Sequence, residues 1–541
     1  MTAAADAGPV TQEPGPRSGV VPAADPTRPW DRRGRAGLAA LCLAVFAMYT
    51  TYALARHATF RTTGFDLGIF DQAIRDYAHL RAPIVPLKGP GYNLLGDHFH
   101  PLIAVLAPLY WIWDDPRMLL IAQAALFALS IVPVARFTAR RFGTGVAWWV
   151  GLIYGISWPL QRAVAFDFHE IALAVPLIAL LVDALDRRRL RTVAVCCLLL
   201  LGIREDMGAL VLLVGVLVVL PRRGEQPRWR PGRVLAGVGL IVAGLAGYEL
   251  VTGVFIPAVA SEGAFVYWTF PALGPDLPSA VRFTLTHPWQ VVVLFVTPQM
   301  KANTLLAMVR PTAFGALGSR YVLLAVPFVA ERMLNSRSQL WETGFHYTSV
   351  IAPILVMAAV DTLGRLVPAL SGLLARLSGA RRTGAAPIGR APIGRALVGR
   401  ALVACWLVWC LAFIGYGLAT RSVDYPVNRL WSGTLWGASG RVDDIRATLP
   451  LIPPRECVEV DNQISPHLTN RDYVTQVTQS RGLATWVLID VSQTQTGWLT
   501  PAPVDAMVRT VAAGYRVVSV KGPIVLLHRD GPVDPRCTVV P

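Results

Sequence analysis

The residues best suited to chemistry lie in a polar stretch after the first long apolar run: Phe65-Asp66-Leu67-Gly68-Ile69-Phe70-Asp71-Gln72, then Leu95-Gly96-Asp97-His98-Phe99-His100. Carboxylates and imidazoles beside a membrane-length helix can exchange protons where a lipid-borne substrate would react. Further along come Asp167-Phe168-His169-Glu170, Arg204-Glu205-Asp206, Glu331-Arg332 and His346-Tyr347. Asp66 has two readings. It precedes the amphipathic pattern Leu67, Phe70, Ile74, Tyr77, where an Asp commonly caps a helix. A carboxylate there can equally take a proton from an acceptor hydroxyl. The same pattern predicts a helix over 67–77 lying along a membrane interface.

Composition sets the elements that must hold these groups. The chain has 541 residues, 54% of them hydrophobic and only 16% charged, more apolar surface than a soluble core needs. A mainly α, polytopic membrane helix bundle follows. Runs at 38–54, 119–134, 146–158, 173–185, 207–220, 234–256, 321–330, 351–363 and 401–418 are spans or their cores, against the ~20 residues a bilayer requires. Weaker runs at 193–203 and 289–296 suit short or tilted spans. The net charge of +16 could suggest nucleic acid, but the arginines fall in clusters between the runs: Arg136, Arg140 and Arg141; Arg187, Arg188, Arg189 and Arg191; Arg222, Arg223, Arg228, Arg230 and Arg233. That is the pattern of cytoplasmic loops, and threading it predicts about 11 crossings, an inside amino terminus and an outside carboxyl terminus. The expected location is a plasma membrane, crossed many times. The stretch 101–113, rich in Pro, Tyr and Trp, reads as re-entrant or juxtamembrane, because a crossing there would put Arg136, Arg140 and Arg141 outside.

Three regions are expected. Residues 1–35 read as a disordered cytoplasmic tail. Residues 36–420 form the transmembrane domain, with an outer juxtamembrane loop at 57–116 and a basic cytoplasmic linker at 370–400 in which Ala-Pro-Ile-Gly-Arg occurs twice. From 421 to 541, strand-like runs alternate with helix-like ones, which predicts a small extracytoplasmic α/β domain. Its only cysteines, Cys457 and Cys537, are expected to form a disulfide in an oxidising exterior.

Depth along the spans brings the polar groups together. The 12 residues from 192 to 203 rise only ~18 Å as a helix against a ~30 Å hydrocarbon core, so Arg204, Glu205 and Asp206 stop short of the far surface. The same argument holds for Asp167, His169 and Glu170. Glu249, Glu331, Arg332, His346 and Tyr347 fall at similar depth. Charges inside a membrane pair with one another or line a water-filled cavity, and the set predicts a polar cavity opening outward.

These motifs together resemble those of an uncharacterised bacterial membrane family, domain of unknown function 2079, over about residues 38–363. The first span, early loop Asp and juxtamembrane segment also resemble the start of the GT-C glycosyltransferases. The GT-C resemblance implies an inverting transfer of a sugar from a polyprenyl-phosphate donor to an extracytoplasmic glycan, lipid or protein, with a loop Asp as base. Asp66 best matches that Asp, with Asp97 in reserve. Arg204 or Arg332 would contact the lipid phosphate. His98, His169 and His346 would bind donor or acceptor, with Asp71, Asp167, Glu170, Glu205, Asp206, Glu331 and Tyr347 in the same substrate-binding wall. Arg204 stands where the uncharacterised family is expected to carry Lys, which keeps charge but changes geometry.

No cofactor is required by this pattern. The acids and imidazoles include enough ligands for a divalent metal, yet no compact ligand spacing, Gly-x-Ser-x-Gly elbow or phosphate-binding loop is present. The rival classes are a transporter or flippase of a lipid-linked or polar substrate and a non-catalytic cell-envelope assembly protein. Transport favours ionisable groups near the midplane and repeated halves. The chain shows no internal repeat across its spans, and its charges gather toward one face.

Overall fold

A computed structural model describes residues 30–221, 231–377 and 391–537, apart from 422, 434, 438, 478, 481 and 494–502. Most of the expected tail, the cluster Arg222, Arg223, Arg228 and Arg230, and the middle of the expected basic linker lie outside the described residues. The helices Ile351–Leu377 and Ala391–Thr420 run further into that linker than hydropathy suggested.

The first helix, α1 (Arg32–Ala58), begins at Asp31, whose carboxylate accepts the Gly34 N–H at 2.6 Å. It packs along Arg117–Gly155, which is two helices joined at Gly143, where φ is +81°. A straight helix would separate residues 131 and 151 by ~30 Å. Instead, a Cβ on Gly151 or Gly155 would stand 3.1 or 2.8 Å from the Ile131 side chain, so the chain doubles back. Glycines also let Met207–Val219 and Pro231–Leu250 touch backbone to backbone: a Cβ on Gly244 would stand 2.4 Å from the Gly208 carbonyl oxygen.

Among the described residues, five helices are long and apolar enough to cross a membrane, or six if the pair Pro288–Val296 and Gln299–Thr312, bent by 80°, is one span. Length alone counts the Arg117–Ala165 hairpin once. Side chains such as Leu235, Trp289 and Val408 point outward from these helices, as lipid-facing residues do.

The bundle has two different ends. At one, Arg140 pairs with Asp183 at 2.6 Å, and Arg141 bridges Asp186 and Asp361 at 2.8 and 3.1 Å, tying together Arg117–Gly155, Ile171–Asp186 and Ile351–Leu377. At the other end, Ile171–Asp186 and Ile351–Leu377 begin beside the polar motifs, and the carboxyl-terminal sheet covers them.

That sheet has the order β2-β1-β3-β5-β4: β1 (Cys457–Val460), β2 (Tyr473–Gln476), β3 (Trp486–Asp490), β4 (Arg516–Lys521) and β5 (Ile524–His528). β1 runs parallel to β2 and β3, whereas β5 runs antiparallel to β3 and β4. β2 is not among the expected strands: its four residues, Tyr-Val-Thr-Gln, end on two polar side chains and make no apolar run. Cys457 and Cys537 are disulfide-bonded, with Cα atoms 5.6 Å apart.

The amphipathic segment departs from expectation. A single π-turn (Gly64–Gly68) leads into α2 (Ile69–Ala78), and every residue of α2 except Tyr77 is buried. Its polar face meets the sheet rather than water: Gln72 donates to the Val474 carbonyl at 3.0 Å and Arg75 to the Thr469 carbonyl at 2.6 Å. The helix is therefore a wedge between bundle and sheet, not a float on a membrane surface.

Candidate functional site

Asp66 sits inside the π-turn, not at a helix cap; Gly68 precedes α2, and no side chain caps it. Its carboxylate is 17% exposed and stands 3.9 Å from His169 Nε2. Among the described residues nothing donates a hydrogen bond to it. Burial first, then the nearby carboxylates Asp167 and Glu170, push its pKa well above the usual range.

Behind Asp66 the groups form a chain. His169 Nδ1 lies 2.5 Å from Glu170 Oε2, a close contact without hydrogen-bond geometry. Glu170 Oε1 lies 3.9 Å from the Arg204 guanidinium. Arg204 chelates Asp206, with Nε 2.9 Å from Oδ1, and reaches Glu331 at 3.4 Å. His346 stacks on His169 with ring centroids 3.8 Å apart, and both of its nitrogens are buried without partners. Tyr347 follows beside the Arg332 guanidinium. The cluster thus joins Asp66, His169, Glu170, Arg204, Asp206, Glu331 and His346 from five separate segments.

A second group adjoins it. Asp97 accepts from Lys88, Tyr92 and Tyr267, the Tyr92 bond being 3.1 Å. Burial alone would raise the Asp97 pKa, but Lys88 and His98 outweigh it and hold the carboxyl well below its usual range. Three donors and a fixed negative charge suit an anchor better than a base. His98 Nδ1 pairs with Glu205 Oε1 at 2.6 Å, the ring stacks on Tyr267 at 4.2 Å, and the Phe99 N–H fixes the other Glu205 oxygen at 3.2 Å. Burial would lower the His98 pKa, yet the Glu205 carboxylate lifts it to about 9, so the ring is a cation at neutral pH. His100, buried behind Phe70, is pushed by burial to about 4 and stays neutral.

The family described as predicted membrane protein (DUF2079) matches residues 56–503. The chain belongs to this family. Among solved structures, that of ArnT from Cupriavidus metallidurans bound to undecaprenyl phosphate is similar at 14% identity and a TM-score of 0.45, covering 91% of this chain and 97% of ArnT. The Archaeoglobus fulgidus oligosaccharyltransferase tethered to an acceptor peptide with the NVT sequon is similar at 11% identity and a TM-score of 0.36, covering 83% of this chain and 69% of that one. Both neighbours are GT-C fold glycosyltransferases. No curated protein matches the chain.

Several candidates of this DUF2079 chain are held in structural contacts. Arg332, expected as a phosphate ligand, is 2% exposed and donates to the Leu340 and Glu342 carbonyls and Thr348 Oγ1, each at 2.8 Å. Asp71, expected in the substrate wall, is fully buried against Arg75 at 2.8 Å and Tyr110 at 2.7 Å. Asp167 pairs with Arg56 at 2.5 Å and accepts from the Thr63 N–H and hydroxyl at 2.8 and 2.9 Å. Glu249 lines a separate cleft with Arg282. Among the described residues no three His, Cys, Asp or Glu side chains gather as a metal site.

Sequence reasoning missed Lys88, Tyr92 and Tyr267 around Asp97, and Arg56 and Thr63 around Asp167. A lysine nine residues before an acid and a tyrosine 170 residues after it carry no periodic signal.

Proposed function

We propose that this chain is a membrane glycosyltransferase that moves a sugar from a polyprenyl-phosphate donor to an extracytoplasmic acceptor, with Asp66 as the base. The observation that carries the reading is the state of Asp66: a part-exposed carboxylate, raised in basicity and without a hydrogen-bond donor among the described residues, 3.9 Å from His169 Nε2. A carboxylate poised this way suits removal of a proton from an attacking hydroxyl. The lipid-phosphate donor class rests on the resemblance of the sequence motifs. Arg204 offers the guanidinium for that phosphate; it is 12% exposed and stands 3.9 Å from Glu170, behind His169 and Asp66. Asp97 serves as an anchor for the loop and not as the reserve base.

In this reading the chain crosses the membrane about 11 times with its amino terminus inside, counting the hairpin at Gly143 as two crossings and the short helices as spans. The sheet end, with Asp66 beneath it, then faces outward, and the Arg140–Arg141 network faces the cytoplasm.

Reconstitution with radiolabelled polyprenyl-phosphate sugars tests the assignment. Wild-type protein should transfer label, and Asp66→Asn should lose about 10²-fold or more of that rate. Undiminished transfer by the variant removes Asp66 as the base. Failure with every donor, together with substrate flux across proteoliposomes, replaces the enzyme with a transporter.

A further inference from the structure

In an open α/β sheet, the crevice beyond the carboxyl ends of parallel strands is the usual place for a ligand. In this chain, part of that crevice is filled by the chain itself. β1 ends at Val460 and leads into Asp461-Asn462; β2 ends at Gln476. The Gly64 N–H donates to the Asn462 carbonyl at 2.6 Å, and the Phe65 N–H donates to Asn462 Oδ1 at 2.9 Å. Gln476 Nε2 donates to the same Oδ1 at 2.9 Å and fixes the amide's orientation. One asparagine thus takes both backbone donors immediately before Asp66.

The fit leaves no slack. A Cβ on Gly64 would stand 2.1 Å from Ser465 Oγ, and one on Gly68 2.6 Å from Leu87 Cδ1. On the bundle side, Asp167 holds the N–H and hydroxyl of Thr63. Among the described residues no hydrogen bond holds the Asp66 carboxylate, so where it stands follows from the backbone of its turn and the side chains packed around it. That backbone is gripped from below by Asp167 and from above by Asn462.

We propose that Asn462 is a positioning residue for Asp66, and that the carboxyl-terminal sheet acts in the reaction by holding the Asp66 turn at the carboxyl ends of its parallel strands. The inference rests on the reading of Asp66 as the base. Its structural half, the clamp, stands or falls independently of that reading.

Amide hydrogen exchange on the full-length protein in nanodiscs separates the two. Replacing Asn462 with Leu removes the Oδ1 acceptor and leaves the Phe65 N–H unpaired, and Asn462→Asp keeps an acceptor at the same place. Gln476→Ala is the milder variant should Asn462→Leu fold poorly, since it frees the asparagine amide without touching the turn. Asn462→Leu or Gln476→Ala should speed exchange across 63–68 by about tenfold, the scale of one lost buried hydrogen bond, with exchange in α1 unchanged. Asn462→Asp should stay near wild type. Unchanged exchange in both Asn462→Leu and Gln476→Ala overturns the clamp and leaves Asp66 as the base untouched. In the transfer assay the loosened variants should lose kcat about tenfold with KM held, and Asn462→Asp should recover it. Faster exchange with unchanged kcat overturns the positioning role, and transfer that survives Asp66→Asn overturns the base alone.

Discussion

Raising the pH from 6.5 to 9.5 should remove a definite part of the stability of the outer loop, and Glu205→Gln should abolish that dependence. The Glu205 carboxylate lifts His98 from an ordinary 6.5 to about 9 in the folded protein. Below pH 6.5 the imidazole is protonated both folded and unfolded, and the ion pair contributes fully. Between 6.5 and 9 only the folded state keeps the proton, so unfolding becomes easier by about 1.4 kcal/mol per pH unit. Above 9 the contribution is gone. Two and a half units would correspond to about 3 kcal/mol; with the His98 ring 29% exposed, about 2 kcal/mol is the working figure. The assay is denaturant unfolding in detergent, followed at several pH values by protection of the 94–103 amides. Subtracting the Glu205→Gln profile removes every other titrating group common to both proteins. Parallel profiles for wild type and Glu205→Gln would refute the pairing.

Other outcomes follow from contacts already described. Arg332→Met should cost about 3 kcal/mol or more in thermal stability, since three buried acceptors lose a charged donor, and Arg332→Lys should recover little because one ammonium cannot span them. Cys457→Ser with Cys537→Ser should lower the stability of the sheet by about 2–4 kcal/mol, read from exchange protection of β1, since the bond closes a loop of 80 residues. Gly96→Ala places a Cβ 2.5 Å from the Ala260 Cα, so the Asp97 and His98 loop must shift, costing about 1–3 kcal/mol in thermal unfolding. The transfer rate should climb with pH through a range above that of an ordinary carboxylate, because burial, Asp167 and Glu170 raise Asp66; a rate already level at pH 4 would contradict it.

How far the sequence could be read depended on the range of the interaction. The short helix before Arg204, Glu205 and Asp206 was legible, since Leu190–Leu201 has only 12 residues, and that local arithmetic set these charges beside the other polar motifs. The strands at Cys457, Trp486 and Ile524 were legible from dense β-branched and apolar runs. The role of α2 was not. Its amphipathic pattern is the same whether the polar face meets water or a sheet nearly 400 residues away, and only the Gln72 and Arg75 bonds decide. Arg332 misled for a related reason: a buried guanidinium bracing carbonyls and one binding phosphate are the same letter in the sequence. Asp66 as helix cap and Asp66 as free carboxylate could not be separated without the π-turn.

The contact between Phe65 and Asn462 spans 397 residues of chain. During synthesis the Asp66 turn emerges early, while the segment that holds it is made near the end, after all the apolar helices. A half-made chain therefore has its acid, its histidines and its arginine, yet no fixed direction for the acid. On the clamp proposed above, the turn is fixed once β1 and β2 are made, and a product cut short before Asn462 would carry the acid without the contact that holds it.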